Sequence, residues 1–575
     1  MELLLSLING ERAVVFLFIF RLIFSVPLSL FYQGFAICLL AFAALFVEIS
    51  AQRSSNALIA KFKTRPGASS GILLGALTLP TVMLSRLIQL SRLLLSHHVQ
   101  PQDITSLTVQ YWAVSASCFS VLVFLLFILR DSDNKNKVFN VKTARDSGFI
   151  LLYTLLYATV CSLSLATKLH SVLHAATMLL WVFCHGFAAV KLIQHVHRTF
   201  PLCSSMGEAL LVTAGITLYF GDMLGYTLVK LETYLTPSSL ASASYEMKRS
   251  EISTIIQGVL AGLLLFPFLY KFILLVCSHC IFWVSSEASA TKKKMSNGIA
   301  KSLVFYISLA VTLLVIVPAW MQFVQDFHMH PVSWVLNFVF TEPFKIIPLC
   351  IYWIGVICAS VLRFYSISKS SKIERILLRK YYHLMAVLMF LPALIFQPSF
   401  LDLAFGAALA VFLLLEIIRV WKIWPLGELV HQFMNAFTDH RDSDLLIVSH
   451  FSLLLGCALP KWMSSGFNDR PLAPFAGILS LGIGDTMASI IGYKYGVLRW
   501  SKTGKKTIEG TAAGITSVLA ACSVLLPLLA STGFILSQHW LSLLLAVIVS
   551  GLLEAYTAQL DNAFIPLVFY SLLCL

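Results

Sequence analysis

Charge is what this sequence has least of. Only 12% of its 575 residues are Asp, Glu, Lys or Arg, against roughly 25% in an ordinary soluble domain. The shortfall runs along the whole chain, which excludes a soluble globular protein with one membrane anchor. Clustered cysteines are also lacking. The 12 cysteines are scattered, mostly inside apolar runs where they act as small hydrophobes. Cys277-Ser-His-Cys280 is the one close pair and has no second pair at metal-ligand spacing, so no zinc or redox centre is indicated. There is no G-x-x-x-x-G-K-[ST] phosphate loop, no Asn-x-Ser/Thr glycosylation acceptor, and no internal repeat of the kind transporters reveal.

Hydrocarbon fills the space that charge leaves. Hydrophobic residues make up 58% of the chain and the mean hydropathy is +0.85. Apolar runs near the roughly 20 residues needed to cross a bilayer recur at 14–30, 108–129, 149–166, 252–277, 302–320, 401–418 and 508–531. With the less clear-cut runs, about 15 crossings are expected, so the fold class is all-α, a polytopic integral membrane protein. The run at 14–30 follows Glu2, Glu11 and Arg12 and lacks a small-residue cleavage site, so it reads as a first span. A net charge of +14 lies in short loops between spans, where topology, anionic headgroups or nucleotide phosphates explain it better than nucleic acid does.

Polar content divides the chain near residue 365. Residues 1–365 alternate spans with ordinary charged flanks and contain no catalytic constellation. Asp222 sits alone in an apolar run, where a partner on another span is expected. Lys191, His195, His197 and Arg198 at a span end read as a snorkelling flank. Over residues 366–575, ionisable residues gather in dense groups: Arg379-Lys380-x-x-His383, Glu416-x-x-Arg419, Asp439 to Asp444, Gly484-Asp485, Lys494 to Thr511, and Gln559-x-Asp561-Asn562. Counting crossings from Arg379 through 384–397, 401–418, 445–459, 471–491, 508–531 and 540–556 returns every one of these groups to the same side. That side carries ten lysines and arginines against little beyond Lys461 and Arg470 opposite, which assigns it to the cytosol.

The stretch 482–511 is the most informative. Gly484, Ala488, Gly492 and Gly496 recur every four residues and form a smooth helical stripe, suited to close helix packing or to a flat ligand. Lys494, Arg499, Lys502, Lys505 and Lys506 follow within 13 positions, with Asp485 before and Glu509 after. A polyphosphate held with a divalent cation requires both types: amines and glycine amides for the phosphate oxygens, carboxylates for the metal. Thr507 with Glu509 also fits an N-cap and an acid in the first helical turn, itself an anion site.

On these residues the sequence resembles the polyprenol kinase family, and within it the eukaryotic dolichol kinases. The motifs are Gly484-Asp485-x-x-Ala488 with Gly492 and Gly496, Lys505-Lys506-Thr507-x-Glu509-Gly510, and Glu554-x-x-Thr557-x-Gln559-x-Asp561-Asn562 before Pro566-Leu567. Upstream they extend to Arg379, Lys380, His383, Glu416, Arg419 and Asp439.

The resemblance implies transfer of the γ-phosphoryl group of CTP to dolichol or another polyprenol, giving dolichyl phosphate for protein glycosylation. It further implies a divalent cation (Mg2+ or Ca2+) and a cytosol-facing site in the endoplasmic reticulum membrane. Residues 495–511 would form the CTP segment: Lys505 and Lys506, helped by Arg499 and Lys502, on the triphosphate, with Gly484, Gly492, Gly496, Thr507, Gly510, Gln559 and Asn562 as further nucleotide contacts. Asp485, Glu509 and Asp561 would hold metal, and Asp561 or His383 would serve any general base. Arg379 and Lys380 are either interfacial anchors or part of the site. Glu416 and Arg419 are either an ion pair or direct contacts. A phytol kinase, a CDP-lipid cytidylyltransferase and a transporter are the alternatives, though the Gly-His-Gly-Gly-like stretch of the cytidylyltransferases does not occur.

Overall fold

The computed structural model describes residues 9–53, 61–65, 69–95, 101–134, 141–168, 172–235, 249–282, 290–368, 372–435, 445–464, 469–500, 506–531 and 540–575. The first helices are α1 (Gly10–Ile23), α2 (Phe31–Arg53), α3 (Ile72–Leu95), α4 (Pro101–Asn134), α5 (Val141–Lys168), α6 (Val172–Thr199) and α7 (Met206–Leu235). Next come α8 (Glu251–Phe282), α9 (Ala290–Val311), α10 (Val317–Val324), α11 (Pro331–Thr341), α12 (Pro343–Ser368), α13 (Lys372–Phe396), α14 (Pro398–Trp421) and α15 (Gly427–Asn435). The last are α16 (Val448–Met463), α17 (Thr486–Tyr495), α18 (Ile508–Ser531), α19 (Trp540–Tyr556) and α20 (Asp561–Leu573). Among the described residues there is no strand, only an isolated bridge between Arg499 and Thr507. An all-helical chain is what a bilayer demands, since hydrocarbon offers backbone N–H and C=O groups no partner outside their own helix. Eleven helices are long and apolar enough to cross a membrane, and five shorter helices are apolar, among the described residues.

The first expected span does not form as one helix. α1 ends at Ile23, the chain turns through Phe24 to Pro27, and the long apolar helix begins only at Leu28. Pro27, which lacks an N–H and cannot extend a helix entered from its N-terminal side, falls inside the apolar run.

Two compact units make up the chain. The first joins 1–222 to 358–391 and 456–575, so residues from both sides of position 365 build one body. Its centre is α3, whose span window is 94% buried, packed by α2, α4 and α20. A helix buried on nearly every face lies inside the bundle, and its Thr78, Thr81 and Ser85 hydroxyls are satisfied by donating to its own backbone carbonyls. Between α4 and α5, Phe119 stacks on Tyr157, which meets Trp112 edge-on. Asp222 accepts a hydrogen bond from Gln110 Nε2 at 3.3 Å, the partner on another span that its position requires. His197 departs from the expected flank: it is buried against Phe62, not snorkelling.

The second unit comprises 223–357 and 392–455. Phe266, Tyr270, Phe305 and Trp421 form its aromatic core. Arg419 grips Glu416 through two bonds of 2.8 and 2.7 Å, and Glu416 also accepts the Ile447 N–H at 3.0 Å. Both Glu416 oxygens are thereby engaged inside the protein, which realises the ion-pair reading of Glu416 and Arg419. Asp439 and Asp444 lie outside the described residues, as do the side chains of Cys277 and Cys280.

Candidate active site

Lys380 and His383 sit three apart on α13 and so share one helical face. Opposite them the chain enters α17 through a π-helical turn, Ile478–Asp485, whose wider winding ends on Asp485. Such turns frequently mark functional sites. Lys380 Nζ lies 2.5 Å from Asp485 Oδ2, and His383 Nδ1 lies 3.1 Å from the same oxygen and 3.2 Å from the Leu481 carbonyl. Two acceptors at one ring nitrogen mean that Nδ1 carries the proton and donates. Asp485 is 1% exposed, Lys380 8% and His383 5%, so the group is enclosed by the bundle rather than displayed on a rim. A carboxylate this deep is tolerated only when paired. Beside it the Thr486 hydroxyl is buried with no partner among the described residues.

A second ion pair stands close by. Lys506 Nζ meets Glu554 Oε1, near the C-terminus of α19, at 2.6 Å. Partial burial works against the Lys506 charge, but Glu554, Asp485 and Asp561 outweigh it and hold the ammonium above its ordinary range. The two ends of the loop that carries this lysine are tied together: Trp500 N–H donates to Lys506 O, Ile508 N–H to Leu498 O, and Trp500 Nε1 to Thr511 Oγ1. Glu509 fastens the same loop by accepting the Leu498 N–H at 2.9 Å. Thr507 caps α18 by accepting the Gly510 N–H at 3.2 Å, as its place ahead of the helix foretold. Arg499 is exposed on this loop. Lys502, Lys505 and the Arg379 side chain lie outside the described residues.

The glycine stripe faces α18. A Cβ on Gly510 would come within 2.6 Å of the Ala488 carbonyl, and one on Gly492 within 2.9 Å of Thr507 Oγ1. Gly484 and Gly496 likewise look onto Val518 and Thr507. This side of the stripe is therefore taken by helix packing. The packing brings Asp485, Lys506 and Glu554 into one electrostatic neighbourhood.

Gln559 is 1% exposed, and its amide is committed to the N-terminal part of the same unit. Nε2 donates to Ser69 O at 3.0 Å and Ser69 Oγ at 2.8 Å, while Oε1 accepts from the Ser205 hydroxyl. Gly71, at φ +59°, passes so close that a Cβ would strike the Gln559 amide carbon at 2.4 Å. Glu208 accepts the Leu560 N–H at 2.8 Å and the Ser205 N–H at 2.8 Å, and is paired with Arg65. Leu560 is the residue before Asp561, which opens α20. The N-terminal helices thus grip the turn that carries Asp561 and Asn562.

The structure brings Lys380 and His383 onto Asp485 and Lys506 onto Glu554, and places Lys506 within reach of the Asp485 and Asp561 charges. It keeps Glu509 in the first turn of α18, accepting the Leu498 N–H. No three His, Cys, Asp or Glu side chains stand close enough to cage a metal by themselves, among the described residues. Glu554 was visible only as a motif letter, because nothing in the sequence distance of 48 pairs it with Lys506. Arg65, Ser69, Ser205 and Glu208 gave no signal beyond an acid heading an apolar run.

A sequence model described as dolichol kinase matches residues 7–464. A dolichol kinase of Arabidopsis thaliana is 59% identical over 570 residues, 99% of each chain. The human dolichol kinase is 32% identical over 390 residues, 65% of each chain, and that of Saccharomyces cerevisiae 37% over 191 residues, 33% of this chain and 34% of that one. No solved structure matches.

Proposed function

The chain belongs to the dolichol kinase family, and from that membership we propose that it transfers the γ-phosphoryl group of CTP to the hydroxyl of dolichol, releasing CDP and dolichyl phosphate for glycosylation. The observation that carries the reading is two neighbouring salt bridges, Lys380 with Asp485, which is buried, and Lys506 with Glu554, which is half-buried. Phosphoryl transfer asks a protein mainly for positioning and for positive charge on the donor oxygens. Lysines parked on carboxylates supply that charge without stranding it while the donor is away. Lys506, with Arg499, would take the triphosphate, and the α18 N-terminus capped by Thr507 adds its dipole.

A divalent cation fits as a shared ligand rather than a caged one, since Mg2+ is commonly held by one or two carboxylates plus substrate phosphates. Asp485 and Asp561 would hold it, and the unpartnered Thr486 hydroxyl beside Asp485 leaves room for a further polar contact. Bound there, the ion would neutralise charge on the phosphates. Chelation is expected to abolish transfer, with Mg2+ or Ca2+ restoring it.

The excess of lysine and arginine on the site's side of the membrane supports a cytosol-facing site, in the endoplasmic reticulum membrane. In sealed microsomes CTP added outside should support dolichol phosphorylation without detergent; a strict detergent requirement would contradict that placement. Product analysis checks the reaction class, because a kinase releases CDP and a cytidylyltransferase releases pyrophosphate.

A further inference from the structure

Between the π-helical turn, α18, α19 and α20 lies a narrow crevice lined by Ile515, Val518, Val547, Ile565 and Phe569, with Glu554 the one ionisable group on its wall. Its walls are mostly apolar, with Ser480 and Ser550 the other polar side chains, and are unsuited to a nucleotide. Its polar end is not isolated, because Glu554 is the partner of Lys506, and Gly484, next to Asp485, also lines it. The helices that form it are greasy outside as well: Val524 and Leu528 on α18 and Leu541 on α19 are exposed, as lipid-facing residues are. A ligand suited to this place is hydrocarbon along its length with a single hydroxyl at one end. Resting on the kinase reading above, we propose that the crevice seats the hydroxyl-bearing isoprene unit of the polyprenol, with the Glu554 carboxylate accepting the alcohol O–H.

The chemistry then balances locally. The alcohol oxygen forms a bond to the γ-phosphorus as the bond from that phosphorus to the β,γ-bridging oxygen breaks, and CDP leaves with the electron pair. The hydroxyl proton passes to Glu554 and is released to water as product departs. Glu554 is thus a catalytic residue with two partners in turn: Lys506 while the site waits, and the alcohol once Lys506 has moved onto the triphosphate. This role replaces the expectation that Asp561 or His383 serves as base.

The test uses the full-length purified protein and a short polyprenol carrying a diazirine on its first isoprene unit. CTP-dependent phosphorylation of dolichol is measured on the same preparation. Photoadducts are expected on α18 and α19, at Ile515 and Val547 above all, and Ile515→Trp should suppress them and raise KM for the alcohol several-fold while KM for CTP stays put. If dolichol is phosphorylated but the adducts map elsewhere, the crevice is wrong and the kinase reading stands. If no CTP-dependent phosphorylation occurs, the kinase reading itself fails. Glu554→Gln separates the two roles of the carboxylate: kcat should fall by about 100-fold or more, with the acid limb of the pH profile lost. A raised KM for CTP with kcat intact would mean that Glu554 only holds Lys506, and would overturn its place at the alcohol.

Discussion

Lys506 and Asp485 belong to separate ion pairs, yet each feels the other's charge, so the site responds as one electrostatic unit. Removing either should leave a buried or half-buried charge uncompensated, and would also strip a cationic contact from the phosphates in the case of Lys506 or a ligand from the divalent cation in the case of Asp485. Lys506→Ala and Asp485→Ala are each expected to lower kcat by about 100- to 1000-fold, the scale of losing one preorganised charge partner, measured as label transfer at saturating CTP. Glu11 offers a test away from the chemistry. Burial, and then the nearby Glu48, push its carboxyl up to about 7, against bonds from Ala558 N–H, Ser69 and Thr557 that favour the charged form. Because the folded value is raised, its contribution to stability is complete below pH 4.5 and is lost as pH rises towards 7. The span is worth about 3 kcal/mol. Glu11→Gln should therefore flatten the fall in unfolding temperature between pH 5 and pH 8 in detergent, and an unchanged slope would contradict the assignment. At this scale the sequence exposes charge but not pairing: the resemblance implies Lys506 as a triphosphate ligand, and its partner Glu554 becomes visible only once α18 and α19 are packed.

Among the elements, α18 and α19 are the ones whose limits were fully legible. The apolar run of α18 starts after a capping Thr507 and closes at Ser531, and the helix occupies that stretch, Ile508–Ser531; the run 540–556 is likewise α19, Trp540–Tyr556. α1 was misread because a hydropathy run does not feel the backbone: Phe24 to Pro27 are apolar enough to continue a span and turn instead. The entry to α17 was misread in the same way, as a regular crossing rather than a π-helical turn, since hydropathy carries no signal for the winding that delivers Asp485 to Lys380. The glycine stripe had two open readings, and contact with α18 realises the packing one. Gly510→Val tests it. With only 2.6 Å to the Ala488 carbonyl and 3.0 Å to Gly492 Cα, an added side chain must force α17 and α18 apart, at a cost of about 1–3 kcal/mol. Unfolding temperature and activity should fall together, because the same contact positions Lys506.

For the whole molecule, polar density placed the chemistry after residue 365 and left the long N-terminal part without a role. Packing supplies one. Ser69, Ser205 and Glu208, distant in sequence and individually ordinary, hold Gln559 and Leu560 and so aim the turn that leads into Asp561. No periodicity or motif could reveal that, because the partners are some 350 residues or more apart and each makes only one or two bonds to a backbone or amide group. A fragment beginning near residue 366 should therefore be inactive even when it inserts into membranes, and co-expression of residues 1–365 should restore some activity. Glu208→Ala in the full chain should destabilise this junction by about 3–5 kcal/mol, the cost of breaking a buried pair, seen as faster hydrogen exchange at Leu560. The central claim, that these helices bring a water-soluble donor to an alcohol that stays in the bilayer, is tested most directly by incubating the purified protein and dolichol with CTP labelled at the γ-phosphate. The account requires label in dolichyl phosphate, with unlabelled CTP competing and ATP competing poorly. Label transferred equally well from ATP, or label appearing in pyrophosphate while dolichol stays unmodified, would contradict it.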